Sequence, residues 1–196
     1  MQLNEGLEVL GTDDHPDGQN WCGVFQGSAV EGVLLPSTLK RIEYSAFENC
    51  KSLKRIALPA GLECVATKCF WESVLKSISF PPSVKVIEKD SFYQCKCLRT
   101  VTFAEGLERI GSYAFFASGL ESVELPASLR VISQGAFAKC EHLRAVKFGD
   151  GLETLGTDDY PEDGGTWYGV FQESSVERVE LPRTLKRIEY NAFKAC

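Results

Sequence analysis

The chain has 196 residues, a formal net charge of −6, 44% hydrophobic residues and 11% aromatic residues, so it is long enough for one or two domains with a sizeable core. Three acids (Asp13, Asp14, Asp17) fall in residues 11–24 and four (Asp158, Asp159, Glu162, Asp163) in residues 156–170, with no Lys or Arg in either stretch; setting these seven aside moves the net charge from −6 to +1. A body so close to neutral forms no basic groove for nucleic acid, no run approaches the roughly 18 apolar residues of a membrane span, and Met1-Gln2-Leu3-Asn4-Glu5 does not read as a secretory leader.

In chain order, the first unit begins at Leu7 and is interrupted by the insertion at 11–24. The first uninterrupted copy is Leu39 to Pro59, LKRIEYSAFENCKSLKRIALP, whose six apolar slots are Leu39, Ile42, Phe47, Leu53, Ile56 and Leu58. Further copies begin at Leu62, Val84, Leu107, Leu129, Leu152 and Leu185, and from Leu39 to Leu152 the starts advance by 23, 22, 23, 22 and 23 residues. The alternation comes from the spacer after Phe: Phe47 to Leu53 spans six positions, Phe70 to Leu75 five. A self-similar period in the twenties predicts a solenoid in which each unit buries its apolar side only against its neighbours. Segments such as LKRIAL and VERVEL predict two short extended strands per coil, apolar side chains inward, pairing in parallel at about 4.8 Å. The Ala-Phe piece between them is expected to be a tight helical turn, with Phe47, Phe70, Phe92, Phe115 and Phe137 in one inward column.

The pattern LxxIxxxAFxxCxxLxxIxLP resembles the BspA-like class of leucine-rich repeats. Ala46-Phe47, Ala114-Phe115, Ala136-Phe137 and Ala192-Phe193 carry its Ala-Phe pair, while Cys69-Phe70 and Ser91-Phe92 depart at the first residue. The resemblance implies a β-rich solenoid of the α/β leucine-rich-repeat type, about eight coils of 22–23 residues with parallel strands and short helical turns. It also implies a surface for adhesion or protein recognition and a cell-surface or extracellular setting. The register from Leu7 to Phe193 predicts one continuous solenoid over 1–196. With no polar unit covering either end, the expectation is a fragment, or ends covered by end-to-end or larger-assembly contacts.

Of the eight cysteines, Cys50, Cys95, Cys140 and Cys196 each lie three residues after the Phe of a long unit. Successive members are two coils apart, roughly 10 Å, against the roughly 7 Å between Cα atoms that a disulfide tolerates, so they are expected to be reduced, small buried residues. Cys22 becomes Tyr168 in the second insertion. Cys95-x-Cys97 and Cys64-x4-Cys69 have no histidine nearby in sequence, which argues against zinc; no metal or cofactor is expected.

Residues 6–47 and 151–193 are near copies: GLEVLGTDD recurs as GLETLGTDD, GVFQ recurs intact and LPSTLKRIEYSAF recurs as LPRTLKRIEYNAF. Both copies carry an insertion, GTDDHPDGQNWCGV and GTDDYPEDGGTWYGV, expected to project from the same side of the solenoid. One reading makes these loops binding elements, with Asp13, Asp14, Asp17, Asp158, Asp159, Glu162 and Asp163 meeting a cation, a sugar or a basic partner and Trp21 and Trp167 stacking on it. The other makes the acids a solvated tip and packs the Trp rings on Leu10 or Leu155. An EF-hand fails, since the twelfth positions are Val24 and Val170 where a bidentate Glu is needed.

The outward positions of the second strands supply a basic-leaning strip that includes Lys54, Arg55, Lys76, Arg99 and Arg144, a candidate face for a protein partner. Catalysis is not expected: His15 becomes Tyr160 in the duplicated loop, His142 lies in a spacer matched by Ser52 and Cys97, and no phosphate loop or nucleophile elbow is present. Two readings stand: a non-catalytic interaction scaffold, or a ligand-binding module built on the two loops.

Overall fold

The computed structural model describes residues 1–11, 23–156 and 168–196. Its strands in chain order are β1 (Val9–Leu10), β2 (Arg41–Ile42), β3 (Cys64–Val65), β4 (Ser77–Phe80), β5 (Val86–Ile87), β6 (Thr100–Phe103), β7 (Arg109–Ile110), β8 (Ser122–Glu124), β9 (Val131–Ile132), β10 (Ala145–Lys147), β11 (Thr154–Leu155) and β12 (Arg187–Ile188). The first strand of each repeat enters one parallel sheet ordered β1, β2, β3, β5, β7, β9, β11, β12. Its register aligns Leu10, Ile42, Val65, Ile87, Ile110, Ile132, Leu155 and Ile188 in a single column. Alternation along two residues sends this column inward from Leu10 to Leu155, leaves Ile188 on the last strand half exposed, and puts its neighbour, such as Arg41 or Arg109, on the outside.

The second strands form two separate parallel pairs, β4 with β6 and β8 with β10. Coils carrying both strands are therefore fewer than the eight expected. Towards either end the second segment is held by single contacts, such as the bridge from Ala145 to Arg178 and the bond from Lys76 N–H to Lys54 O at 3.2 Å.

The expected helical turns are not helices; no helix occurs among the described residues. The cause lies in the backbone at two places, and both recur. Residues two before and two after six of the column Phe residues take the left-handed conformation, as at Ser45 and Asn49 around Phe47, Lys68 and Glu72 around Phe70, and Asp90 and Gln94 around Phe92, while at Phe25 and Phe171 only the residue two after, Gly27 or Glu173, does so. A helix does not survive such residues in its path. Every second N–H also leaves the coil. Phe47 N–H donates to Cys69 O at 2.8 Å, Phe92 N–H to Ala114 O at 2.7 Å and Phe137 N–H to Val170 O at 2.8 Å, while Asn49 N–H donates to Trp71 O and Gln94 N–H to Phe116 O. The turns are thus a second hydrogen-bonded ladder between coils, and tertiary bonds replace the i→i−4 bonds that the local pattern suggested.

Inside, the eight rings of Phe25, Phe47, Phe70, Phe92, Phe115, Phe137, Phe171 and Phe193 stack face to face, with successive centroids 5.1–5.4 Å apart and interplanar angles of 4–14°. The expected column is present and continues across the second insertion. Phe80 and Phe103 meet Phe92 and Phe115 edge-on, at 5.7 and 6.0 Å, and close the core from the second-strand side. Each such pair adds about 0.5–1.5 kcal/mol beyond area burial.

The intact recurrence of GVFQ has a local explanation. A Cβ on Gly23 would lie 1.8 Å from Ser45 O, and one on Gly169 1.8 Å from Asn191 O. Gln26 and Gln172 then accept the Gly23 and Gly169 N–H groups, each at 3.1 Å. Both inserted stretches re-enter the solenoid on the same clasp.

Candidate functional site

The candidate loop residues Asp13, Asp14, Asp17, Trp21, Asp158, Asp159, Glu162, Asp163 and Trp167 lie outside the described residues. The strip residues Lys54, Arg55, Lys76, Arg99 and Arg144 are all exposed. The strip is less basic than its sequence suggests, because acids of the following or preceding coil answer its cations. Arg99 pairs with Glu121 at 3.5 Å, Arg144 with Glu177 at 3.0 Å and Lys147 with Glu124 at 3.7 Å. Parallel stacking in register brings these side chains opposite one another, which a linear reading of outward positions does not weigh. The pairs are exposed and worth at most about 1 kcal/mol each, so they set a pattern of charge more than they hold the fold. Arg99 is also tied by its guanidinium to Lys96 O and Gly119 O, both at 2.9 Å. Beside β8 and β10 the strip borders a hollow of about 1030 Å³, lined by Glu124, Arg144, Lys147, Glu177, Arg178 and the exposed Leu181.

The cysteines form a second repeated feature. Cys95 donates its thiol to Phe70 O at 3.0 Å and Cys140 to Phe115 O at 3.1 Å. Between these long-coil cysteines the short coils place a serine at the same position: Ser73 Oγ lies 3.5 Å from Cys95 Sγ, and Ser118 Oγ 3.3 Å from Cys140 Sγ. Burial pushes the Cys95 thiol up to about 12 and the Cys140 thiol up to about 11, so both stay protonated donors. The described cysteines are all free thiols.

A surface that the sequence reading missed lies on the turn flank. The residue after Phe is aromatic in three successive coils, and Trp71, Tyr93 and Phe116 stack at 4.1 and 4.8 Å. Tyr113 and Tyr168 stand across Phe116 at 65° and 75°. Lys68 lies over Trp71 and Lys139 over Tyr168, each 5.0 Å from the ring centroid. Gly135 leaves room for Tyr113, whose ring carbon would be 2.5 Å from a Cβ there. These groups enclose an open furrow of about 700 Å³. In its wall stands Asp90, only 7% exposed, on a left-handed residue between Lys68 and Tyr113 of the adjacent coils. Burial raises its carboxyl from 3.8 to about 6, against a smaller opposing pull from Lys89 and Lys68. The available signal was the run Phe70-Trp71, Phe92-Tyr93, Phe115-Phe116, where other coils have Glu48, Ala138, Gln172 or Lys194.

No helix among the described residues is long and apolar enough to cross a membrane. A search of curated proteins found no match. Among solved structures, the chain is similar to a leucine-rich repeat protein of T. pallidum, at 27% identity over 84% of this chain and 86% of that one, with a TM-score of 0.62. It shares its fold with a leucine-rich repeat protein of Eubacterium ventriosum, at 17% identity over 86% of this chain and 43% of that one, TM-score 0.56. The same holds for a leucine-rich cell surface protein of Faecalibacterium prausnitzii, at 19% identity over 81% and 52%, TM-score 0.52. The profile of the BspA type leucine rich repeat region matches residues 22–144 and 167–196, in six copies. With the stacked Phe column and the parallel ladder already in view, that match places this chain in the BspA-type leucine-rich repeat family.

Proposed function

We propose that this chain is a non-catalytic scaffold that holds another protein, in recognition or adhesion, along the outward strip of its second strands. The family supports a protein-binding or adhesion role in general. The observation that carries the placement is the coil-to-coil alternation of charge, Arg99 with Glu121, Lys147 with Glu124 and Arg144 with Glu177, beside a hollow of about 1030 Å³. Alternating charges at fixed spacing give register and partner choice more than raw affinity. The stacked core beneath them keeps that spacing rigid. A setting at a cell surface belongs to the same reading, in line with the F. prausnitzii relative, a leucine-rich cell surface protein.

Affinity capture tests it with three baits: the intact chain, a variant combining Arg99→Glu and Arg144→Glu, and one with both insertions cut to ordinary unit length. Partners captured by the intact chain are expected to be lost by the charge-reversed bait and kept by the shortened one. Equal capture by the first two would remove the strip from the reading. Loss only on shortening would transfer the role to the loops, with their acids and Trp21 and Trp167.

A further inference from the structure

We propose that the furrow on the turn flank binds a neutral saccharide, with Asp90 accepting hydrogen bonds from sugar hydroxyls and the edges of the stacked aromatic strip lying against the sugar's C–H groups. This site is separate from the strand strip and goes beyond the protein-binding role proposed for it.

The first observation is the state of Asp90. Asp90 is buried as a residue and lines the furrow, and its carboxylate accepts no hydrogen bond from a donor among the described residues. A buried carboxylate without donors is unfavourable, and local violations of this kind are concentrated where a ligand completes the site. The nearby cations do not complete it. Lys68 and Lys139 lie over the rings of Trp71 and Tyr168, and Lys139 also pairs with Glu173 at 3.6 Å.

The second observation is the balance of charge, which selects the ligand. The furrow is lined by Lys89, Lys96 and Lys139 together with Asp90 and Glu141. A cationic ligand drawn to Asp90 meets the field of Lys68 and Lys89, and an anionic ligand drawn to the lysines meets Asp90. A hydroxyl both donates and accepts, so a neutral polyol satisfies the carboxylate and the ammonium groups without a net Coulomb penalty. Its C–H groups lie against the half-buried edges of Trp71, Tyr93 and Tyr113, since the faces of Trp71 and Tyr93 are taken up by their own stack. The furrow, at about 700 Å³, falls within the range of small-ligand sites, roughly 300–1,000 Å³.

The test uses the intact chain on an array of neutral oligosaccharides, with an arginine-rich peptide and heparin as charged probes, followed by calorimetric titration of the best neutral binder. Retention of a neutral oligosaccharide is expected, with affinity falling at least tenfold in both Asp90→Asn and Tyr93→Leu and unchanged in Arg144→Glu. Circular dichroism melting confirms that each variant is folded, and Asp90→Asn preserves side-chain shape, so its loss of binding reads the carboxylate itself. Three results would each overturn the proposal: no neutral oligosaccharide retained, equal affinity in Asp90→Asn, or retention of the peptide or heparin in place of neutral sugars.

Discussion

The thiol of Cys140 lies 3.3 Å from the hydroxyl of Ser118, one coil before it, and donates onward to Phe115 O at 3.1 Å. Long coils thus present Cys and short coils Ser at one position. Because burial holds the Cys95 and Cys140 thiols far above neutral pH, neither forms the reactive thiolate at pH 8. Alkylation of the native protein with iodoacetamide, mapped by mass spectrometry, is expected to modify the exposed Cys97 and to spare Cys95 and Cys140 until denaturant is added. Native labelling of Cys140 would show that the column opens.

The Phe column carries much of the stability. Phe92 is fully buried and stacks on both Phe70 and Phe115 at 5.1 Å, with Phe80 edge-on at 5.7 Å. Phe92→Ala is expected to cost about 3–5 kcal/mol, and Phe92→Leu, which keeps most of the volume but no ring, about 1–2 kcal/mol. Urea denaturation measures both. A Phe92→Leu loss close to zero would mean that ring stacking adds nothing to volume.

Asp90 makes stability depend on pH in an unusual direction for an acid. Its carboxyl titrates near 3.8 ordinarily and near 6 in the folded chain, so between those values the folded state binds the proton more tightly than the unfolded one. Its contribution therefore falls as pH rises from about 4 to 6, by roughly 2–3 kcal/mol, and is at its worst above that window. Asp90→Asn is expected to flatten this slope and to raise stability at pH 7 by about 1–3 kcal/mol. A variant with the parent's slope in denaturation curves from pH 4 to 7 would show that Asp90 is solvated.

Gly169 is expected to tolerate no side chain. The clash of a Cβ with Asn191 O requires backbone movement, costing about 1–3 kcal/mol. That movement also displaces the neighbouring Val170 carbonyl, which accepts from Phe137. Thermal melts of Gly169→Ala beside Gly32→Ala, at a glycine with open space around it, provide the comparison, and equal melting temperatures would refute the clasp.

The amino-acid sequence by itself determined the solenoid, its parallel strands and the inward Phe column. Those follow from a period of 22–23 residues that leaves each unit unable to bury Leu39, Ile42 and Phe47 alone. It also determined which residues stand outside, since strand alternation places Lys54, Arg99 and Arg144 there without knowledge of the neighbouring coil. Only the tertiary structure decided what the turns are: the left-handed residues at Ser45 and Asn49 and the bond from Phe47 to Cys69 O are contacts between coils, and local propensity does not register them. Only stacking placed Glu121 against Arg99, some twenty residues away in the chain but on the adjacent coil. Stacking likewise assembled Trp71, Tyr93 and Phe116 around Asp90, each an ordinary variation in its own repeat and a furrow only when three coils lie side by side.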